Sequence, residues 1–302
     1  MVLIGIFILR IVFGSEGFIS PLTNDVIDHN ILLQLRAPRA VLGLISGLVL
    51  GLSGLYFQGI FRNNLASPYT LGVSSGAAFG ASLGILMGVY PALTSFCGAI
   101  LSIAFIFSVS KIKRNFKPNT IILSGVISSF FFSSAIVIIH YFSPAATTQK
   151  IIQWTLGDLG IVGFQALYVL FPLCLLGLVW LYFQRMPLSM IAVGDSFAQS
   201  RGVATEKLRK KVFFICSILI SFVVSLTGPI AFVGLIIPHL AKRVFGVSPS
   251  DAFWGTLMWS ATFLLLSDIF STWVISPRIL PVGVITSLLG APFFLLILLK
   301  KN

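Results

Sequence analysis

Apolar runs of about twenty residues recur from one end of this 302-residue chain to the other, and that pattern leaves few ways to fold. Inside a bilayer no water reaches the backbone, so every spanning segment must satisfy its N–H and C=O groups as a helix or within a closed barrel. The alternating, roughly ten-residue pattern of barrel strands is absent, which leaves helices. Composition agrees, with 57% hydrophobic and 9% charged residues, against about 25% charged in an ordinary soluble domain. The chain reads as an all-α integral membrane protein, a single transmembrane domain over residues 1–302.

Hydropathy and helix-breaking residues predict about ten transmembrane helices, near residues 1–15, 37–59, 70–90, 92–109, 119–142, 166–184, 212–228, 229–247, 252–273 and 281–299. The first is short and contains Arg10. A cleaved signal peptide is the other reading of that stretch, but no small-residue cleavage pattern follows it, and it is kept as a helix.

Lys and Arg collect in the short loops on the cytoplasmic side of such proteins. With the N-terminus inside, the inner loops hold Arg62, Lys111, Lys113, Arg114, Lys117, Arg185, Arg201, Lys207, Arg209, Lys210, Lys211, Lys242, Arg243, Lys300 and Lys301, while Arg36, Arg39, Lys150 and Arg278 fall outside. Fifteen against four predicts a multi-pass membrane protein with both termini in the cytoplasm. The net charge of +12 then reflects orientation and contact with anionic lipid rather than nucleic acid.

Motifs for chemistry are missing. Neither GxxxxGK[ST] nor GxSxG occurs, so ATP, if used, binds another chain. Cys97, Cys174 and Cys216 read as small buried hydrophobes, and His29, His140 and His239 are too scattered for a metal site. His239 reads as a hydrogen-bonded structural residue.

Four stretches are richer in polar residues, Gly or Pro than plain spans. In residues 35–84, Gly43, Gly47, Gly51 and Gly54 form a smooth face for close helix packing. The following "NNLASPYTLGVSSG" holds Asn63, Asn64, Leu65, Pro68 and Gly72 and predicts broken backbone, buried or lining a cavity. Residues 189–211 predict two short helices on the cytoplasmic face, one capped by Asp195 or Ser196 and ended by Gly202, the next capped by Thr205. Within "GPIAFVGLIIPHLAKRVFG", residues 228–246, Gly228-Pro229 breaks the chain between two spans, and Lys242-Arg243 anchors the next at the inner surface. In residues 280–301, Pro281 suits a helix start, and Gly290 with Pro292 allows a kink. Asp268, near the outer end of the ninth span, needs a donor or water, because a bare carboxylate in lipid is costly.

The segments "LRAPRAVLGLISGLVLGLSGLYFQGIFRNNLASPYTLGVSSGAAFG", "AVGDSFAQSRGV", "GPIAFVGLIIPHLAKRVFG" and "LPVGVITSLLGAPFFLLILLKK" together resemble the permease subunits of bacterial ABC importers for ferric siderophores, haem and cobalamin. The resemblance runs in order from about residue 35 to the C-terminus. It implies the type II importer fold, a dimer of permeases as homodimer or paralogous heterodimer, two ATPase subunits carrying ATP and Mg, and an extracytoplasmic substrate-binding protein. No cofactor is implied in this chain. By the same resemblance Arg36 and Arg39, with Arg278, meet acidic residues of the binding protein. Many family members carry a further Arg four residues after the Asp matching Asp268, and here Thr272 stands there. Residues 189–206 are similar to the family's coupling helices, with Gly194, Asp195, Ala198 and Gly202 matching and Arg201 replacing a common Leu. Asn63, Asn64, Leu65 and Pro68, with Asn119 at the start of the fifth span, match places where the pathway narrows; Asn64 replaces a usual Pro.

An ion-coupled secondary transporter is the rival class, and it would need a coupling-ion site in the membrane. Asp268 is the sole mid-to-late-span carboxylate. A membrane subunit that only senses the binding protein is the third.

Overall fold

A computed structural model describes residues 2–14, 17–19, 25–113, 116–276 and 278–299. Arg114, Lys300 and Lys301, assigned above to the cytoplasmic side, lie outside the described residues.

The first helix, α1 (Val2–Val12), leads into a short antiparallel ladder in which Phe13 pairs with Phe18 and Gly14 with Gly17. The long α2 (Val26–Phe61) follows, 36 residues without a break, its Ile31–Arg36 stretch wound as a π-helix. Next come α3 (Val73–Met87), α4 (Pro91–Ile112), α5 (Pro118–Phe142), α6 (Ala145–Thr155) and α7 (Gln165–Val193). The six-residue α8 (Asp195–Ser200), α9 (Thr205–Thr227), α10 (Val233–Phe245), α11 (Ala252–Trp273) and α12 (Val282–Leu299) complete the described chain.

Among the described residues six helices, α2, α4, α5, α7, α9 and α11, are long and apolar enough to cross a membrane. Each of the other four predicted spans coincides with a shorter helix, of 11, 15, 13 and 18 residues for α1, α3, α10 and α12. Two of these are short for a visible reason. The turn after α2 travels back along the bundle before α3 starts, and α10 begins only after the non-helical stretch at Gly228-Pro229. Helix α6 falls on no predicted span. Its polar AATTQK opening gives no hydropathy signal, and only Ile151 on it is fully buried.

The core is built around α2, whose most apolar window is 83% buried, against 28% for α5 and for α7. In a bilayer the exposed apolar faces of the latter two are where lipid or other helices lie. The glycine face of α2 sets the packing distance. A β-carbon at Gly47 would meet the backbone of Ser260 and Ala261, one at Gly51 the Ser260 side chain, and one at Gly54 the carbonyl of Gly234. Backbones thus touch backbones at α2–α11 and α2–α10, as expected where no hydrophobic effect drives helices together in lipid. The α3–α4 crossing repeats the device, a β-carbon at Gly76 meeting the Gly98 carbonyl at 2.5 Å. Serine hydroxyls bridge where small residues bring helices close: Ser102 on α4 lies 2.9 Å from both the Gly72 carbonyl and Ser128 of α5.

Several local expectations change. Helix α7 continues through Pro172 and Pro187 to Val193, so most of the long inner loop expected from residue 185 is helix. One short helix stands there, not two, because Thr205 opens α9 and the chain from Thr205 to Thr227 contains no breaker. Neither predicted cap forms. The N-cap of α8 is Gly194, and the Asp195 carboxylate is occupied by two arginines instead. Cys174 and Cys216 are buried, but Cys97 lies on the exposed face of α4. His239 meets Phe294 edge-on, ring centroids 6.5 Å apart. Gly290 likewise serves close packing, its β-carbon position lying 2.6 Å from Phe232.

Candidate functional site

Three regions gather the polar residues singled out in the sequence. The first lies along the N-terminal half of α2. Asp268, fully buried on α11, is held by two arginines: Arg10 donates to it through Nε, and Arg39 bonds it through Nη2 at 2.8 Å and Nε at 3.0 Å. Arg39 also reaches Asp158 Oδ1 at 3.0 Å. This answers the demand for a donor at Asp268 twice over, and one donor comes from the arginine that made the first span look irregular. Charges in so dry a place persist only when paired and hydrogen-bonded. Helix α1 is therefore tied into the bundle by an ion pair.

Arg36 ends the π-wound stretch and donates to the Val12 carbonyl at 2.5 Å, with Gly14 packed on its guanidinium. Arg10, Arg36 and Arg39 line one cavity of about 390 Å³ with Gly160, Val162, Thr272 and Ile279. Windings of the π type are frequent at functional sites. Arg36 and Arg39 are only 6% and 8% exposed, so they present the edges of a basic cavity rather than free side chains. Arg278 is different, standing exposed in the turn before α12. Beside Arg39, Arg10 supplies the second cation at Asp268.

The second region is the turn from Arg62 to Gly72. The break predicted there is present, closed by local bonds: Leu65 N–H to Asn63 Oδ1 at 2.9 Å, Ser67 N–H to Thr70 Oγ1 at 2.9 Å, and Thr70 Oγ1 to the Leu65 carbonyl at 3.1 Å. Gly72 ends it at φ +80°, and a β-carbon there would also press on the Gly125 carbonyl at 2.7 Å. Asn64 and Leu65 are exposed, whereas Pro68 is buried beside Gly234. Asn119 sits exposed in the first turn of α5. The turn meets α5 further along, through Gly72 and Gly125. Tyr69, which sequence reasoning passed over, faces a cavity of about 350 Å³ lined by Leu156, Pro229, Gly283 and Ser287. The signal available for it was an aromatic residue inside a predicted break.

That cavity is framed by backbone in contact with backbone. Asp158 N–H bonds the Thr227 carbonyl at 2.8 Å, and Gly283 N–H bonds the Gly157 carbonyl at 3.2 Å. Gly228, at φ +67°, could not carry a side chain without meeting the Trp154 carbonyl. The start of α12, the end of α6 and the Gly228-Pro229 break are thereby locked as one rim.

The third region, at the opposite end of α2, contains α8. Ala198 is fully buried, while the β-carbon positions of Gly194 and Gly202 meet nothing within 4 Å. The short helix thus stands off the bundle, touching it along one side. Arg201 is exposed there, its guanidinium 5.5 Å from the Phe197 ring centre. No group of three or more His, Cys, Asp or Glu that could hold a metal ion occurs among the described residues.

Comparison with known proteins gives a consistent result. The model described as the FecCD transport family matches residues 1–300. The ABC transporter permease protein YvrB of Bacillus subtilis, itself uncharacterised, is 33% identical over 301 residues, covering 96% of this chain and 85% of its own. The hemin transport system permease protein HmuU of Yersinia pestis is 32% identical over 293 residues, covering 93% of this chain and 86% of its own. Among solved structures, an inward-facing metal-chelate type ABC transporter superposes with a TM-score of 0.90 at 29% identity, covering 99% of this chain and 97% of that one.

Proposed function

The chain belongs to the FecCD transport family, and from that premise we propose that it is the membrane permease of an ATP-driven importer for an iron chelate, with a ferric siderophore as cargo and haem or cobalamin as the alternatives. About ten transmembrane helices per subunit, both termini in the cytoplasm, and a second permease, identical or paralogous, complete the reading. ATP and Mg belong to a partner ATPase, and this chain carries no cofactor of its own.

The observation that carries it is the division of labour along α2. A basic cavity holding Arg10, Arg36 and Arg39 lies at one end, and a protruding helix set between two unobstructed glycines lies at the other. Between them Tyr69 faces a cavity framed by α12, the Gly228-Pro229 break and the end of α6. A bulky chelate needs a wide passage that holds it weakly, and a lining of backbone, serine and an aromatic fits that need. Arg36, Arg39 and Arg278 face the binding protein in this reading; Gly194, Asp195, Ala198, Arg201 and Gly202 present the ATPase contact; and Asn63, Asn64, Leu65, Pro68 and Asn119 stand on the pathway's inner side. A secondary transporter is disfavoured by Asp268. Its carboxylate already carries two guanidiniums, so its charge is balanced within the protein and does not call for a proton or sodium ion.

Docking is tested most cleanly at Arg278, because it is exposed and Arg39 is committed to the interior ion pair. Arg278→Glu should weaken association of the loaded binding protein about tenfold, chiefly in the association rate, with the melting temperature unchanged. Binding kinetics at low and high salt check this. Unaltered association would remove Arg278 from the docking surface.

A further inference from the structure

Three charged side chains tie together distant segments at the α8 end of the bundle. Asp195 takes Arg209 through both carboxylate oxygens, Nη1 to Oδ2 at 3.0 Å and Nη2 to Oδ1 at 2.6 Å. Arg62 Nη2 lies 2.9 Å from the same Oδ1. Arg209 is 5% exposed, and its Nε donates at 3.0 Å to the carbonyl of Ile60, in the last turn of α2 where helical partners run out. One guanidinium thus joins the first residue of α8 to the end of the central helix.

Arg62 adds a second feature to the link. It occupies φ +48°, ψ +39°, the left-handed region that penalises any residue with a β-carbon. Glycine is the usual residue at a helix end of this conformation. Keeping arginine preserves a charge aimed at Asp195. The same end of α2 is also fixed to α10, Lys242 Nζ reaching Gln58 Oε1 at 2.9 Å and Gln58 Nε2 the Leu235 carbonyl at 3.1 Å. Beyond Arg62 the chain enters the turn that carries Tyr69 to the cavity.

We propose that Asp195, Arg62 and Arg209 form an ionic strut through which displacement of α8 is delivered to the end of α2 and to the 62–72 turn. The two arginines are positioning residues for transport, and the inference rests on the reading of α8 as the ATPase contact. A bidentate guanidinium–carboxylate pair holds orientation as well as distance, which a single point charge does not. With Gly194 and Gly202 unobstructed on either side, α8 moves as a unit and the strut sets where its movement goes.

The test uses the full chain assembled with its ATPase and binding protein in vesicles, recording uptake of ferric siderophore, haem or cobalamin, whichever the wild-type chain carries, together with ATP hydrolysis. Arg62→Gly removes the charge and relieves the positive φ, so the fold is kept. Uptake per ATP hydrolysed should fall about fivefold, and Arg62→Lys should restore most of it. Arg209→Lys, which keeps charge but loses the fork and the Ile60 bond, should fall comparably. Unchanged uptake per ATP in both Arg62→Gly and Asp195→Asn overturns the strut. A wild-type chain that assembles with the ATPase yet shows no ATP-driven uptake overturns the permease reading itself, and the strut as a coupling device with it.

Discussion

Asp268→Asn should destabilise the chain by about 3–5 kcal/mol, the cost of breaking a buried ion pair by removing one partner. Asparagine preserves the shape of the carboxylate and removes its charge. Arg39 keeps Asp158, but Arg10, 2% exposed, loses its buried counter-charge and keeps only neutral acceptors among the described residues, the Phe13 carbonyl at 3.2 Å being one. The expected readout is a sharp fall in melting temperature in detergent and poor accumulation in the membrane. Replacing buried ionic partners by apolar residues of similar volume is often neutral or stabilising, so removing Arg10 together with Asp268 should fare better than removing the carboxylate's charge alone. The double change Arg10→Met with Asp268→Leu should recover most of the loss. If Asp268→Asn instead left stability intact and abolished uptake alone, Asp268 would be a titrating transport residue and the secondary-transporter class would return.

Gly54→Ala should destabilise by about 1–3 kcal/mol, the range for overpacking a well-filled core. Intrinsic helix propensity points the other way, since alanine exceeds glycine by about 1 kcal/mol in a helix interior. The two effects have opposite signs, and packing decides. A β-carbon at Gly54 overlaps the carbonyl of Gly234, and the β-carbon position of Gly234 is itself 2.6 Å from the Leu50 carbonyl and 2.9 Å from Pro68 Cδ. Backbone cannot step aside as a flexible side chain can, so α10 must move and Pro68 with it. Uptake should therefore fall along with the melting temperature. Gly5→Ala is the control: its β-carbon meets nothing within 4 Å, and it should be neutral or slightly stabilising.

Helix positions were legible because lipid imposes one rule on every span. The ninth span was placed at 252–273, the bounds of α11, and the break at Asn63 to Pro68 is present. Hydropathy failed where an element is neither apolar nor a loop. It missed α6, cut α7 short before Pro187, and divided the Thr205 helix in two. The site was legible in kind but not in its pairings. Composition alone said that Asp268 needs a donor, yet the donors stand 229 and 258 residues away in sequence, beyond any local pattern. Arg10 had been visible only as a flaw in an apolar run. Asp195 was read as a helix cap, the commonest use of an aspartate at that place, and two guanidiniums brought in by folding claim its oxygens instead. Exposure was the least legible property. Arg36 and Arg39 look like surface residues ahead of a span, and in three dimensions they are the buried edge of a cavity.

The most direct test of the account is uptake by the purified chain, reconstituted in vesicles with its ATPase and binding protein and offered ferric siderophore, haem and cobalamin side by side. ATP-dependent accumulation of one of them, ferric siderophore foremost, is the predicted result, and it should vanish when the binding protein is left out. Accumulation that ignores ATP and follows a proton or sodium gradient would contradict the account, as would stable assembly with the ATPase and no uptake of any of the three.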